Sequence, residues 1–216
     1  MITAKSTVLF MGDSITDCSR DPLGEPTPWN LQTGLGKGYV NLVDAWLTAN
    51  HAQDMVRVIN RGVSGRTVRD LKEAWDTEVT QLKPQWLSMM IGINDVWRQF
   101  DCPLRTEIHV GLDEYKNTLD KLLALSRPSL NGLVLVTPYI IEPNRQDPMR
   151  KTMDKYIAVI QKLAKKHSAI LVDVQAAFDL VMKHRHPMEL AWDRIHPGAA
   201  GHMVIAKAWL KATGYL

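Results

Sequence analysis

The chain has 216 residues, a formal net charge of +3 and 45% hydrophobic residues. This length and apolar fraction suffice for one substantial hydrophobic core, and we predict a single domain over residues 1–216. Lys and Arg are interspersed with Asp and Glu rather than gathered into blocks, which argues against a nucleic-acid partner. No stretch approaches the roughly 20 apolar residues of a membrane span, so no membrane partner is expected.

The cysteines and the N-terminal segment indicate the compartment. Cys18 and Cys102 lack the spacing of a C-x-x-C motif, and two thiols do not make a disulfide framework in a chain of this size. The apolar run at residues 8–11 is too short for a signal peptide. We therefore expect reduced thiols and a cytoplasmic protein.

Short apolar runs alternate with segments of helical periodicity along the chain. Runs that are apolar throughout suit strands buried on both faces of a sheet. The predicted strands cover residues 7–11, 55–60, 86–91, 133–137 and 169–174. Apolar residues at helical spacing lie between them: Tyr39, Leu42, Val43, Trp46 and Leu47, then Leu112, Tyr115, Leu119, Leu122 and Leu123, then Ile157, Ile160, Leu163 and Ala164.

This alternation predicts the fold class. Because parallel strands need a crossover helix between them, we expect an α/β protein, a three-layer α/β/α sandwich with a central, mainly parallel five-stranded sheet. Ligands bind outside the carboxyl ends of the strands in such sheets. The longest loops predicted at that edge are residues 17–37 and 139–148.

The first predicted strand ends in the sequence Gly12-Asp13-Ser14. A serine on a tight turn at the carboxyl edge can present both its hydroxyl and its backbone N–H to a ligand. Ser14 could equally be only a helix cap or a phosphate-loop residue, since serine is preferred at helix N-termini. The motif alone leaves both interpretations open.

Two further loops follow the second and third predicted strands. Gly65 lies in the first of them, where a glycine lets the backbone approach a ligand and offer an N–H. Asn94 lies in the second, where a side-chain amide could donate to a developing oxyanion. Taken singly, these residues could be an ordinary helix-start glycine and a turn asparagine.

Near the C-terminus, Asp193 precedes His196 by three residues. A serine hydroxyl is a weak nucleophile at neutral pH, so it needs a base and a third group that orients the base. Asp193 and His196 could supply both, although a capping aspartate and an exposed histidine would explain the pair taken alone. Together, however, four loop segments provide a nucleophile Ser14, a base, an orienting acid and three oxyanion donors.

These motifs resemble those of the SGNH hydrolases, the GDSL esterase and lipase family, whose blocks carry Ser, Gly, Asn and His. Ile15 stands where the family name has leucine, which leaves the serine unaffected. The resemblance implies a flavodoxin-like SGNH hydrolase fold and a catalytic triad of Ser14, Asp193 and His196. It also implies an oxyanion hole formed by the N–H groups of Ser14 and Gly65 and by the Asn94 amide.

Within that family, the chain is most similar to bacterial carbohydrate esterases that remove acetyl groups from xylose-based saccharides. The stretches that carry this likeness are residues 12–18, 64–71, 91–98, 147–150 and 191–193. The likeness implies an acetylated saccharide as the small-molecule substrate and intracellular deacetylation. It is also compatible with a homo-oligomer.

Side chains next to these motifs are candidates for substrate binding: Asp13, Trp97 and Trp192. The two tryptophans could be platforms on which a sugar ring stacks, or they could pack the loops in place. No metal site or other cofactor is predicted, because the His-x-His pair at His184 and His186 lacks further ligands nearby.

Three alternatives remain open from the sequence. The first is a GDSL-type lipase or thioesterase for longer acyl chains, because pocket depth depends on how the loops at 17–37 and 139–148 fold. The second is a non-catalytic doubly wound module that binds a nucleotide or flavin phosphate at the Ser14 turn, which leaves Asp193 and His196 unexplained. The third is a catalytically silent carbohydrate-binding protein.

Overall fold

A computed structural model describes residues 2–216 and has the predicted five-stranded sheet at its centre. All neighbouring strands are parallel, and their order is β2-β1-β3-β4-β5. This is the flavodoxin-like order of a doubly wound sheet. The strands are β1 (Thr7–Gly12), β2 (Arg57–Gly62), β3 (Trp86–Met90), β4 (Gly132–Val136) and β5 (Ile170–Val172).

Helices cover both faces of the sheet, which confirms the predicted three layers. On one face α2 and α7 pack against α9, and on the other α3 contacts α5 while α6 contacts α4 and α5. The helices are α1 (Ser14–Asp17), α2 (Tyr39–Asn50), α3 (Val68–Trp75), α4 (Ile93–Asp101), α5 (Leu112–Ser126), α6 (Pro148–Lys166), α7 (Val174–Val181), α8 (Pro187–Leu190) and α9 (Ala199–Ala212). Within residues 2–216, none of these helices combines the length and the apolar character needed to cross a membrane.

The ends of β1, β3 and β4 differ from the prediction by one residue at most, whereas β2 and β5 depart from it by up to two residues, for local reasons. Strand β2 starts at Arg57 rather than at residue 55, because Met55 has a left-handed backbone with φ of 45° and terminates a short 3-10 turn. Strand β5 ends at Val172 because Asp173 caps α7, its side chain accepting a 3.0 Å hydrogen bond from the Ala176 N–H. A capping carboxylate of this kind fixes the start of a helix.

The core on the α2 and α9 face is built on aromatic side chains. The ring of Phe10 lies 6.0 Å from that of Tyr39 and 5.3 Å from that of Trp209, measured between centroids. All three residues have no exposed surface. The indole N–H of Trp209 donates to the Ser88 hydroxyl at 3.0 Å, so its one polar atom is satisfied inside the core.

The carboxyl edge of the sheet is closely packed where β1 and β2 end. Gly12 and Gly62 are partners in the strand register. A Cβ atom at Gly62 would lie 2.2 Å from the backbone nitrogen of Asp17, so only glycine allows α1 to lie this close to β2. The strand order reverses between β1 and β3, and the crevice at such a switch point is where doubly wound sheets bind ligands.

Candidate active site

Ser14 is the first residue of α1 and follows β1 directly at that switch point. The Asp13 carboxylate accepts a 3.0 Å hydrogen bond from the Ile15 N–H and so caps the short helix. The next turn closes through Cys18, whose left-handed backbone has φ of 40°. This tight turn holds the Ser14 hydroxyl at the carboxyl edge of the sheet, as the sequence predicts.

The structure brings Ser14, His196 and Asp193 into one hydrogen-bonded chain. The Ser14 Oγ lies 2.8 Å from the Nε2 of His196, although 182 residues separate the two. The Nδ1 of the same imidazole lies 2.6 Å from the Oδ2 of Asp193. Because an ionised carboxylate only accepts hydrogen bonds, the ring proton sits on Nδ1, and Nε2 is free to accept the serine proton.

The Asp193 carboxylate holds its own loop as well as the imidazole. Its Oδ1 accepts hydrogen bonds from the N–H groups of Ile195 at 2.9 Å and His196 at 2.8 Å. Partial burial raises the pKa of Asp193, but the hydrogen bonds from the His196 side chain and from these two backbone groups together outweigh it. The net pKa of Asp193 therefore lies below its usual value, and the carboxylate is charged at neutral pH.

The loop between β4 and α6 supports the Asp193 turn from behind. The Ile141 N–H donates to the Arg194 carbonyl at 2.9 Å, and the Tyr139 hydroxyl donates to the Ile195 carbonyl at 3.1 Å. The Arg194 guanidinium forms ion pairs with Glu142 at 2.9 Å and Asp147 at 3.2 Å. These contacts join segments more than 40 residues apart in the chain, and no sequence motif signals them.

The three predicted oxyanion donors follow β1, β2 and β3, which are neighbours in the sheet. The Ser14 N–H lies in the first turn of α1, where a helix offers no acceptor of its own. The Gly65 N–H donates no backbone hydrogen bond within residues 2–216, and Gly65 has the left-handed φ of 82°. The Asn94 side chain is 2% exposed and donates from Nδ2 to the Arg66 carbonyl at 3.0 Å.

Two carboxylates that the sequence did not single out connect these donor loops. Asp17, at the end of α1, accepts a 2.8 Å hydrogen bond from the Ser64 hydroxyl and so links the serine turn to the Gly65 loop. Asp95 accepts a 2.9 Å hydrogen bond from the Val68 N–H and so links α4 to the start of α3. The three donor segments are therefore connected to one another by hydrogen bonds.

Asp95 is a fully buried carboxyl group at the centre of this arrangement. Its Oδ2 has no hydrogen-bond partner within residues 2–216. Burial raises the pKa of Asp95 to about 7, and the hydrogen bond from Val68 opposes that rise. The position of Asp95 directly after Asn94 could have drawn attention to it in the sequence. Its burial could not have been predicted, because burial depends on packing between distant segments.

The structure corrects the prediction that Asp13 binds substrate. The side chain is 1% exposed and caps α1 from beneath, so its carboxyl cannot reach a ligand at the surface. Burial raises its pKa to about 7, and the hydrogen bond from the Ile15 N–H opposes that rise. Asp13 therefore supports the serine turn.

The two tryptophans predicted to bind substrate differ in their surroundings. The ring of Trp97 packs edge-on against the His196 imidazole, with 5.8 Å between centroids, and the Arg98 guanidinium lies 4.6 Å from its centre. Trp192 is 82% exposed beside Asp193. Trp97 thus packs the reaction centre, whereas the face of Trp192 is open to a ligand.

The other polar residues considered from the sequence include His186 and the two cysteines. The Nδ1 of His186 accepts a hydrogen bond from the Met188 N–H at 3.3 Å and caps α8. Cys18 and Cys102 are free thiols. Within residues 2–216, no group of three or more His, Cys, Asp or Glu side chains is arranged to hold a metal ion.

Comparison with known proteins places these features in a family. Residues 10–204 match the model of the GDSL-like Lipase/Acylhydrolase family. The chain is 50% identical to an acetylxylan esterase of Geobacillus stearothermophilus over 208 residues, which cover 96% of this chain and 94% of that protein. This relationship confirms the resemblance found in the sequence, and it does not favour a nucleotide-binding or flavin-binding module.

Solved structures agree with this relationship across the whole fold. A crystal structure of an acetylxylan esterase from Geobacillus stearothermophilus has a TM-score of 0.96 and 49% identity, covering 100% of this chain and 97% of that one. An α/β hydrolase enzyme from the metagenome of Lake Arreo has a TM-score of 0.96 and 51% identity, covering 100% and 98%.

Variants of the Geobacillus stearothermophilus enzyme have also been solved. Three of these structures are described as catalytic mutants, in which a serine, a histidine or an aspartate is replaced by alanine. These are the residue types that form the hydrogen-bonded chain at the carboxyl edge of the sheet here. The chain belongs to the GDSL-like lipase/acylhydrolase family and is a carboxylic ester hydrolase homologous to acetylxylan esterase.

Proposed function

We propose that this chain is a serine esterase that removes acetyl groups from xylose-based saccharides such as acetylated xylo-oligosaccharides. The observation that carries the proposal is the hydrogen-bonded chain from Ser14 through His196 to Asp193, with heavy-atom distances of 2.8 and 2.6 Å. The first distance suits a nucleophile and base that exchange a proton, and the second suits a carboxylate that orients the base.

In the first half of the reaction, the Nε2 of His196 takes the proton of Ser14 as the Oγ attacks the acetyl carbonyl carbon. Asp193 keeps the imidazole in the tautomer that can accept this proton and stabilises the resulting imidazolium. The imidazolium then donates its proton to the sugar oxygen as the C–O bond breaks. The saccharide leaves as a free alcohol and the acetyl group remains on Ser14.

In the second half, a water molecule gives a proton to His196 and attacks the acetyl carbon. Collapse of the second tetrahedral intermediate breaks the bond to the Ser14 oxygen, which takes back the proton and releases acetic acid. The negatively charged oxygen in both halves would be held by the N–H groups of Ser14 and Gly65 and by the Asn94 amide. One such donor contributes roughly 2.7 to 4 kcal/mol in the transition state.

Two features of the site support a saccharide ester as the substrate. The His196 side chain is 41% exposed and Gly65 is exposed, so the reaction centre opens directly to the surface. A shallow, open site suits a short acyl group on a bulky alcohol. Trp192 offers an exposed aromatic face next to Asp193, and sugar rings pack well on such faces.

The relatives support the same substrate class. The Geobacillus stearothermophilus relative is named an acetylxylan esterase, and some structures of its variants are described as those of an acetyl-xylooligosaccharide esterase. The principal alternative is a lipase or thioesterase for longer acyl chains, and lipase activity is part of the family's name. The cytoplasmic location and the homo-oligomer expected from the sequence stay predictions.

The test compares p-nitrophenyl acetate, butyrate and octanoate with acetylated xylobiose, following acetate release from the saccharide. We expect the highest kcat/KM among the aryl esters for acetate, together with release of acetate from the saccharide. Ser14→Ala should abolish both reactions. The matched control Ser129→Ala, which changes an exposed serine after α5, should retain wild-type rates.

The outcomes separate the alternatives. A preference for octanoate over acetate would overturn the acetyl specificity in favour of a lipase or thioesterase. Hydrolysis of p-nitrophenyl acetate without acetate release from acetylated xylobiose would overturn the assignment of a saccharide ester as the substrate. Wild-type turnover by Ser14→Ala, or failure of Ser14 to react with a fluorophosphonate, would overturn the serine mechanism itself.

A further inference from the structure

The Asn94 side chain has most of its hydrogen-bonding capacity committed within the protein. Its Nδ2 donates one hydrogen bond to the Arg66 carbonyl at 3.0 Å. Its Oδ1 accepts a hydrogen bond from the Nη2 of Arg98 at 3.2 Å. Because an asparagine amide has two N–H donors, one N–H remains for a ligand.

The orientation of this amide depends on both of its partners. Turning it over would bring Oδ1 against the Arg66 carbonyl and Nδ2 against the Arg98 guanidinium. Two acceptors would then face each other, and two groups of donors would face each other. The Arg66 carbonyl is fixed in the backbone, whereas the Arg98 contact is supplied by a side chain one helical turn after Asn94.

Arg98 is held in place on two further sides. Its guanidinium lies 4.6 Å from the centre of the Trp97 ring, in the geometry of a cation–π contact. Its Nη1 also forms an ion pair with Asp101. The Arg98 side chain is only 27% exposed, so the group that meets Asn94 has little freedom to move away.

We propose that Arg98 is a positioning residue for ester hydrolysis, acting through Asn94. Its guanidinium locks the amide so that one N–H of Asn94 faces the oxyanion, and a charge-assisted hydrogen bond to Oδ1 withdraws electrons from the amide nitrogen. Withdrawal of electrons makes the remaining N–H a stronger donor. The proposal rests on the proposed function, because it assigns Arg98 a part in the same oxyanion site.

The first measurement is the steady-state kinetics of Arg98→Ala with p-nitrophenyl acetate. We expect kcat to fall by about 10-fold to 100-fold, less than the 100-fold to 1,000-fold typical of losing an oxyanion donor outright. KM should stay within about twofold, because the contact to the oxygen strengthens only in the transition state. The matched control Arg105→Met, at an exposed ion pair after α4, should keep wild-type kinetics.

A double-mutant cycle with Asn94→Ala separates action through the amide from a general structural effect. If Arg98 acts through Asn94, the double variant is no slower than Asn94→Ala alone. Guanidinium chloride at a low, non-denaturing concentration should also restore part of kcat to Arg98→Ala, but not to the double variant. The proposal would be overturned if the fall in kcat of the double variant equalled the product of the falls in the two single variants. It would also be overturned if Arg98→Ala raised KM without lowering kcat.

Failure of this proposal is distinguishable from failure of the proposed function. A wild-type protein that does not hydrolyse acetyl esters overturns the function before any Arg98 variant is compared. An active wild type with undiminished kcat in Arg98→Ala overturns only the role of Arg98. If Arg98→Ala does not fold, as judged by circular dichroism, Arg98→Lys replaces it in the same cycle, with the same criterion.

Discussion

Replacing Asp95 with asparagine should make the stability of the protein less sensitive to pH. Asp95 is fully buried, its Oδ1 accepts a hydrogen bond from Val68, and its Oδ2 has no partner within residues 2–216. Burial raises its pKa to about 7. In the unfolded chain the same group titrates near 3.9.

The sign of the effect follows from proton binding. Between about pH 4 and 7 the folded protein holds the Asp95 proton while the unfolded chain has lost it, so the free energy of unfolding falls as pH rises through this window. The shift in pKa corresponds to about 4 kcal/mol once the carboxyl is ionised in both states. Asp95→Asn lacks this pH-dependent contribution to the free energy of unfolding.

The asparagine side chain is a good match for the protonated carboxyl. Both are neutral, both have nearly the same shape, and both can accept the hydrogen bond from Val68; the acid leaves one O–H without a partner, and the amide leaves two N–H groups. We therefore expect Asp95→Asn and the wild type to have similar stability near pH 4. By pH 8 the variant should be more stable by up to about 4 kcal/mol, because only the wild type carries the buried charge.

Urea denaturation at a series of pH values measures this difference directly. Asp13 contributes in the same direction in both proteins, so its effect largely cancels from the comparison. The control Asp113→Asn removes an exposed carboxyl at the start of α5 and should follow the wild-type curve. Parallel curves for Asp95→Asn and wild type from pH 4 to 8 would refute the reasoning.

Three other changes test the site and its scaffold. Asp193→Asn should lower kcat by about 10,000-fold, measured with p-nitrophenyl acetate, because an amide stabilises the wrong tautomer of His196; a loss below tenfold would contradict the role of the carboxylate. Trp192→Ala should lower kcat/KM on acetylated xylobiose by about tenfold while leaving the aryl acetate almost unchanged, and equal losses on both substrates would argue against a sugar platform. Gly62→Ala should cost about 1–3 kcal/mol of unfolding free energy in urea, because its Cβ would meet a backbone nitrogen at 2.2 Å, whereas Gly111→Ala, which has open space, should be tolerated.

The architecture could be predicted from the sequence because each part of it leaves a local pattern. All five strands lie within two residues of their predicted starts, since runs of apolar residues between amphipathic helices leave few other options. Ser14, Asp193 and His196 could be singled out because a nucleophile, a base and an orienting acid are required as a set. The structure brings these three into one chain of hydrogen bonds.

The supporting contacts could not be predicted, because they join residues whose separation in the sequence carries no signal. The hydrogen bond from Tyr139 to the Ile195 carbonyl and the link from Asp95 to the Val68 N–H are examples. Asp13 illustrates the opposite error. It lies in a short turn that looks exposed in the sequence, but in the folded protein its carboxyl caps α1 and neighbouring segments exclude solvent from it.

The pairing of Ser14 with His196 across 182 residues has a consequence for how the enzyme comes into being. Because Ser14 is synthesised 182 residues before His196, a growing polypeptide carries its nucleophile long before it has its base. Ester cleavage therefore cannot begin until the segment that carries Asp193 and His196 has been made and has folded against the Ser14 turn. In a cell-free translation mixture, the first appearance of activity would thus report the completion of folding rather than the progress of synthesis.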